Sequence, residues 1–160
     1  MRRVRGLLRI SLSYNILLLF STDASIYVSF SPSYISAAAD AQVRFLDSST
    51  DAVRKEAIAQ DKLVFIDLYA TWCGPCKAME RDVFSKKDVG DFMDEYFVAA
   101  KYDIDKPTGK ALAGKHGIRS IPTYLVFNTE GDLLGKITGS MPAEEFTAAL
   151  RKIIAETGKK

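Results

Sequence analysis

The chain is predicted to be an α/β domain over residues 42–160, a mixed central sheet with helices on both faces. Three observations predict it. Leu63 to Ala70 is almost continuously apolar and lacks the alternation of a half-exposed strand, so it reads as a central strand covered on both sides. Segments of helical period alternate with strand-like runs up to residue 115, and such crossovers join parallel strands. Thr123 to Phe127 and Leu133 to Thr138 then flank Asn128-Thr129-Glu130-Gly131, which is a hairpin signal and adds an antiparallel pair.

From Val43 onward the order reads β-α-β-α-α-β-α-β-β-α. Ser48, Ser49, Thr50 and Asp51 offer N-caps for a helix over Ala52 to Gln60, with Val53, Ala57 and Ile58 spaced along one face. After the central strand, Lys77 to Phe84 continues a helix. Ser85 is the candidate cap of the next one, which carries Val89, Phe92, Met93 and Tyr96 at i, i+3, i+4 and i+7. Phe97 to Tyr102 is a strand. Pro107 suits a first helical position and Gly117 a helix stop, which brackets a short helix to Lys115. The last helix begins near Pro142 and turns Phe146, Leu150, Ile153 and Ile154 to one side.

With 160 residues, 48% hydrophobic and 26% charged, the chain suits one domain with a real core, and neither an internal repeat nor a linker divides residues 43 to 157. The net charge of +2 lies entirely in residues 1–41, which hold four arginines against Asp23 and Asp40. The remainder is neutral, so it carries no nucleic-acid footprint and none for an anionic membrane. Residues 1–41 run from a basic start through an apolar middle to Ser36-Ala37-Ala38-Ala39-Asp40-Ala41, the plan of a cleaved export signal, with cleavage after Ala39 or Ala41. A disordered leader and an organelle transit peptide are the competing readings. The longest unbroken apolar run in this segment is Ile16 to Phe20, well short of a stable membrane span, and the segment has no cysteine to carry lipid.

Both cysteines lie in Trp72-Cys73-Gly74-Pro75-Cys76-Lys77, directly after the central strand. A pair three residues apart closes too short a loop to staple a fold, which leaves redox chemistry or metal binding. A structural zinc site takes about four ligands, whereas Cys73, Cys76 and the single histidine His116 supply at most three, so no metal is assigned. Asp67 is the one acid within the apolar strand. It is either a carboxyl that reaches water at a sheet edge or a buried one that holds its proton near neutrality. On base rates the Ile121-Pro122 bond is an ordinary trans turn.

Phe65-Ile66-Asp67-Leu68-Tyr69-Ala70-Thr71-Trp72-Cys73-Gly74-Pro75-Cys76-Lys77, then Lys101-Tyr102-Asp103-Ile104-Asp105, then Gly117-Ile118-Arg119-Ser120-Ile121-Pro122-Thr123, and finally Gly139, occur in that order. On these stretches residues 43 to 155 resemble thioredoxin and its exported relatives. Arg81 stands where the family usually has a helix-kinking proline, which implies a straighter helix, and Met79 to Val89 is similar to the periplasmic C-terminal domain of DsbD-type thiol reductases.

The resemblance implies a thioredoxin fold and a thiol–disulfide oxidoreductase that reduces protein disulfides, with the Gly-Pro pair between the cysteines matching the reducing members. Cys73, at a strand-to-helix junction where helix N–H groups favour thiolate, is the expected nucleophile, and Cys76 the residue that resolves the mixed disulfide. Gly74 leaves space beside the sulfur and Pro75 fits the first helical turn. By resemblance Asp67 lies behind Cys76 with Lys101 near it and takes the Cys76 proton. A cis Pro122 lies against the cysteines, Ile121 and Pro122 contact the substrate chain, Trp72 covers one side of the site, and Gly139 lets a partner approach. His116 is expected to be a helix-end residue rather than a catalyst. The cysteine pair carries the electrons itself, so no cofactor is implied. The implied partners are protein disulfides and an upstream thiol electron donor, for an exported, periplasmic monomer. A dedicated reductant in cytochrome c maturation is the enzymatic alternative, and a thioredoxin-fold binding or chaperone module the non-enzymatic one.

Overall fold

A computed structural model describes residues 42–158. The expected leader over residues 1–41 therefore lies outside the described residues. The elements are β1 (Phe45–Leu46), α1 (Thr50–Ala59), β2 (Leu63–Tyr69), α2 (Gly74–Met79), a π-helical segment (Glu80–Phe84), α3 (Lys87–Tyr96), β3 (Phe97–Asp103), α4 (Pro107–Lys115), β4 (Thr123–Phe127), β5 (Leu133–Thr138) and α5 (Ala143–Glu156). The strands form one five-stranded sheet in the order β1-β3-β2-β4-β5. β2 pairs parallel with β3 and antiparallel with β4, so the most apolar strand of the chain occupies the centre, as its lack of alternation predicts.

Side chains alternate across this strand and divide the core in two. Leu63 and Phe65 face a layer built from Met79 of α2, Val83 and Phe84 of the π segment, Val89, Phe92 and Met93 of α3, and Phe146 and Leu150 of α5. Val64, Ile66 and Leu68 face Val53 and Ala57 of α1, with Leu112 and Ala113 of α4 packed alongside. The first layer is aromatic. Phe65, Phe84, Tyr124 and Phe146 meet at ring-centroid separations of 5.3–6.0 Å, mostly edge to face, a geometry that adds to the gain from burial.

Local chemistry fixes several boundaries. Ser49 caps α1, its hydroxyl accepting the Ala52 N–H at 3.3 Å, and Gly117 takes a φ of 61° just past α4, a conformation that favours glycine. Three expectations are corrected. Ile58 is 53% exposed and does not share the buried face of Val53 and Ala57. Adjacent positions on a helix are 100° apart, and Ala57 already takes the inward direction. Ser85 does not cap α3: its hydroxyl donates to the Arg81 carbonyl, and Lys86 holds the cap position without a side-chain bond. The helix after Cys76 does not keep α geometry to Phe84, since it stops at Met79 and a wider π turn follows. Proline is one cause of helix distortion, and a π segment is another.

Candidate active site

β2 delivers the chain to the site. The Ala70 carbonyl accepts the Cys73 N–H at 3.1 Å, which turns the backbone so that Cys73 becomes the N-cap of α2. In that position its Sγ accepts the Cys76 N–H at 3.1 Å, so the sulfur takes up one of the helix's unpaired donors. Pro75 falls in the first turn, where a missing N–H leaves no bond unmade. At Gly74 a side chain would meet no atom beyond its chain neighbours within 4 Å, so the glycine leaves the surface beside the sulfur open rather than relieving a clash.

Cys73 and Cys76 are joined in a disulfide with a Cα separation of 5.3 Å, and both are buried, at 3% and 4% exposure. Ala70 completes their cluster, with Tyr69, Ile104 and Ile121 packed against it. The Ile121-Pro122 bond is cis, which corrects the base-rate expectation of a trans turn and agrees with the family resemblance. The Pro122 carbonyl accepts the Gly139 N–H at 2.8 Å, and Gly139 has a φ of 97°. Gly139 is thereby tied to the cis-proline segment, in a backbone region where other residues are strained. Trp72 is 65% exposed, its indole N–H donating to Asp105 at 2.7 Å.

A row of polar groups crosses neighbouring strands of the sheet, led by Asp67 on the strand that ends at the cysteines. Asp67 of β2 is in register with Lys101 of β3 and with Tyr124 of β4. β2 is central and Asp67 is only 2% exposed, which rules out a carboxyl reaching water at a sheet edge. Its Oδ1 has no hydrogen-bond partner. Burial pushes the Asp67 carboxyl up to about 7, a rise that Lys101 opposes and Glu80 reinforces. Lys101 donates to Glu80 at 2.6 Å and lies over the Tyr69 ring at 5.2 Å. Partial burial draws the Lys101 ammonium down, but the bond and charge of Glu80 outweigh it, leaving the group above its ordinary value.

His116 ends α4 and meets the Phe127 ring edge to face at 5.3 Å. Phe127 belongs to the core layer opposite the one that contains Met79 and Tyr124, so His116 has no place in the cysteine cluster. Burial, then Lys115 and Lys136, holds its imidazole below the ordinary value. Three polar residues tied to the predicted site residues escape a reading of the sequence: Glu80, Asp105 and Tyr124. Glu80 and Asp105 look like ordinary surface acids until the fold supplies Lys101 and Trp72 as their partners. Tyr124 sits in an apolar strand, where its ring accounts for it and its hydroxyl gives no signal.

The family model of the thioredoxin-like domain matches residues 50–154. Thioredoxin-1 of Saccharomyces cerevisiae is 41% identical over 87 residues, covering 54% of this chain and 78% of the yeast protein. The thiol:disulfide interchange protein DsbD of Klebsiella pneumoniae is 37% identical over 117 residues, covering 69% of this chain but only 19% of that protein. Among solved structures, a thioredoxin from Thermus thermophilus superposes with a TM-score of 0.65 at 24% identity, covering 73% of this chain and 91% of the other, a likeness of fold. With a paired Cys-x-x-Cys at the start of a helix and a match that spans the folded region, the chain belongs to the thioredoxin-like family and is a thiol–disulfide oxidoreductase.

Proposed function

We propose that the protein reduces disulfides in other proteins, outside the cytoplasm, by cycling Cys73 and Cys76 between dithiol and disulfide. The observation that carries this reading is the placement of Cys73 Sγ as the cap of α2, receiving the Cys76 N–H at 3.1 Å. A hydrogen bond to the charged form favours thiolate, and thiolate is the attacking species. The Cys73 thiolate attacks a substrate disulfide, forming a mixed disulfide and releasing one substrate thiolate. Cys76 Sγ then bonds to Cys73 Sγ, the bond from Cys73 to substrate breaks, and its electron pair leaves on the second substrate thiolate. Two electrons have passed to the substrate, and an upstream dithiol returns them by the same exchange.

Asp67 takes the Cys76 proton in the second step. A carboxyl whose pKa burial has raised to about 7 can accept a proton and give it up again near neutral pH. Lys101 tunes that carboxyl. Ile121 packs against the cysteines and with Pro122 presents backbone to an extended substrate, Trp72 offers an apolar surface, and Gly139 leaves room for the partner chain. The signal plan of residues 1–41 and the likeness to DsbD support a periplasmic reductase, and we propose that it acts as a monomer.

Insulin reduction tests the reading. Wild type is expected to turn over, and Cys73→Ser to lose more than about a hundredfold in rate, as removal of a covalent nucleophile does. Cys76→Ser is expected to leave Cys73 joined to its partners as stable mixed disulfides, recoverable from a native extract. A measured reduction potential near that of a strong oxidant would reverse the assigned direction.

A further inference from the structure

Tyr124 has no role in the scheme above, yet its environment is unusual. Its side chain is fully buried, wedged among Phe65, Phe84 and Phe146, and its hydroxyl has no hydrogen-bond partner. Buried hydroxyls are nearly always paired, and an orphan one calls for a reason. Among the described residues, the other buried side-chain polar atom left without a partner is Asp67 Oδ1. The two residues are register partners on adjacent antiparallel strands, with side chains on the same face of the sheet. Two orphans side by side in an apolar layer satisfy each other if they share one proton-bearing bridge. The phenol extends well beyond the shorter carboxyl, so a single water spans them better than a direct bond.

We propose that Tyr124 is a positioning residue for Asp67, its phenol hydroxyl donating through one enclosed water to the Asp67 carboxyl and steadying the carboxylate form. This rests on Asp67 being the proton acceptor for Cys76. The groups facing Asp67 are Lys101 from β3, Glu80 from the π segment and Tyr124 from β4, and those around the Tyr124 ring are apolar apart from Asp67 itself. Lys101 supplies opposite charge and Glu80 like charge, which leaves Tyr124 as the neutral donor. Burial and the neighbouring Asp67 both push the phenol up, so it stays protonated and able to donate throughout the working range.

A donor to the charged form lowers a carboxyl's pKa, and its loss raises it. The test is the acid limb of the pH profile for insulin reduction, in wild type, Asp67→Asn, Tyr124→Phe and the double variant. Tyr124→Phe keeps the ring and is expected to move the limb upward by about 0.5–1 pH unit, a three- to tenfold loss of rate on the acid side. Asp67→Asn should leave only the limb set by the Cys73 thiolate, and the double variant should then match Asp67→Asn. A limb that Asp67→Asn shifts but Tyr124→Phe leaves in place overturns the role of Tyr124 and spares the proton acceptor. A limb whose position Asp67→Asn does not change overturns both. A second measurement needs no variant to fold: in ring-labelled wild-type protein, the Tyr124 Cζ resonance should titrate together with the Asp67 carboxyl. Independent titration of the two overturns the proposal.

Discussion

The exposed surface beside the Cys73–Cys76 disulfide and the sheet whose central strand leads to it are built from opposite materials. On the outer side stand an indole that is 65% exposed, a surface left open at Gly74 and a glycine at φ 97°. On the inner side, within the sheet, lie a carboxyl 2% exposed and a hydroxyl with no partner, with a partly exposed lysine held by Glu80 beside them. The outer groups spend little stability and are free to meet many surfaces. The carboxyl and the hydroxyl are costly to bury, and that cost is what brings the carboxyl's proton affinity close to neutral pH. Changes on the inner side should therefore register in stability and in pH dependence, and changes on the outer side in rates with partners.

The largest effect is expected at Asp67. Its folded-state pKa of about 7 lies above the ordinary 3.8, so the native state holds a proton that the unfolded chain releases, and stability falls as pH rises through that window. Asp67→Asn should flatten this dependence, gaining on the order of 3–4 kcal/mol over wild type at about pH 8 and losing that advantage near pH 4, as urea unfolding of the oxidised protein would measure. Equal gains at both pH values would break the contrast between the two sides. Trp72→Ala comes next: insulin reduction should slow by about tenfold while the thermal midpoint stays within about 2 °C, since the side chain buries little. The smallest effects belong to the charged pair on the inner side. Lys101→Met should raise the Asp67 pKa and Glu80→Gln lower it, each by about 1 unit or less, in carboxyl-detected NMR titrations. Shifts of the same sign would show that the pair does not act on Asp67 by charge.

Much of the fold was legible because local rules agreed with one another. Pro107 and Gly117 bracket α4, the apolar continuity of Leu63 to Leu68 belongs to the central strand, and the turn at Asn128 to Gly131 joins β4 to β5. The departures occur where tertiary contacts decide. Ile58 follows helical spacing, but the one inward direction at that turn goes to Ala57. The π segment leaves no mark on apolar periodicity, because Val83 and Phe84 would be buried in either kind of turn. At the site, the cysteines and Asp67 stand out by residue type alone. The cis Ile121-Pro122 bond does not: the two isomers differ by about 0.5–1 kcal/mol before the surroundings choose, so the choice is written in residues distant in sequence. Tyr124 is hidden for a related reason, since an aromatic residue in a buried strand needs no further explanation until its hydroxyl is seen to lack a partner.

Gly109 lies in α4 and touches neither cysteine. A side chain there would come within 2.1 Å of the Asp103 carbonyl oxygen, a backbone atom with nowhere to move. Asp103 in turn accepts the Asp105 N–H at 2.9 Å, and Asp105 holds the Trp72 indole. The exposed tryptophan is thus the last link of a tether whose first link is a missing methyl group on the helix behind it. In sequence drift the rim of the redox site is constrained at a position that no contact map of the cysteines would mark.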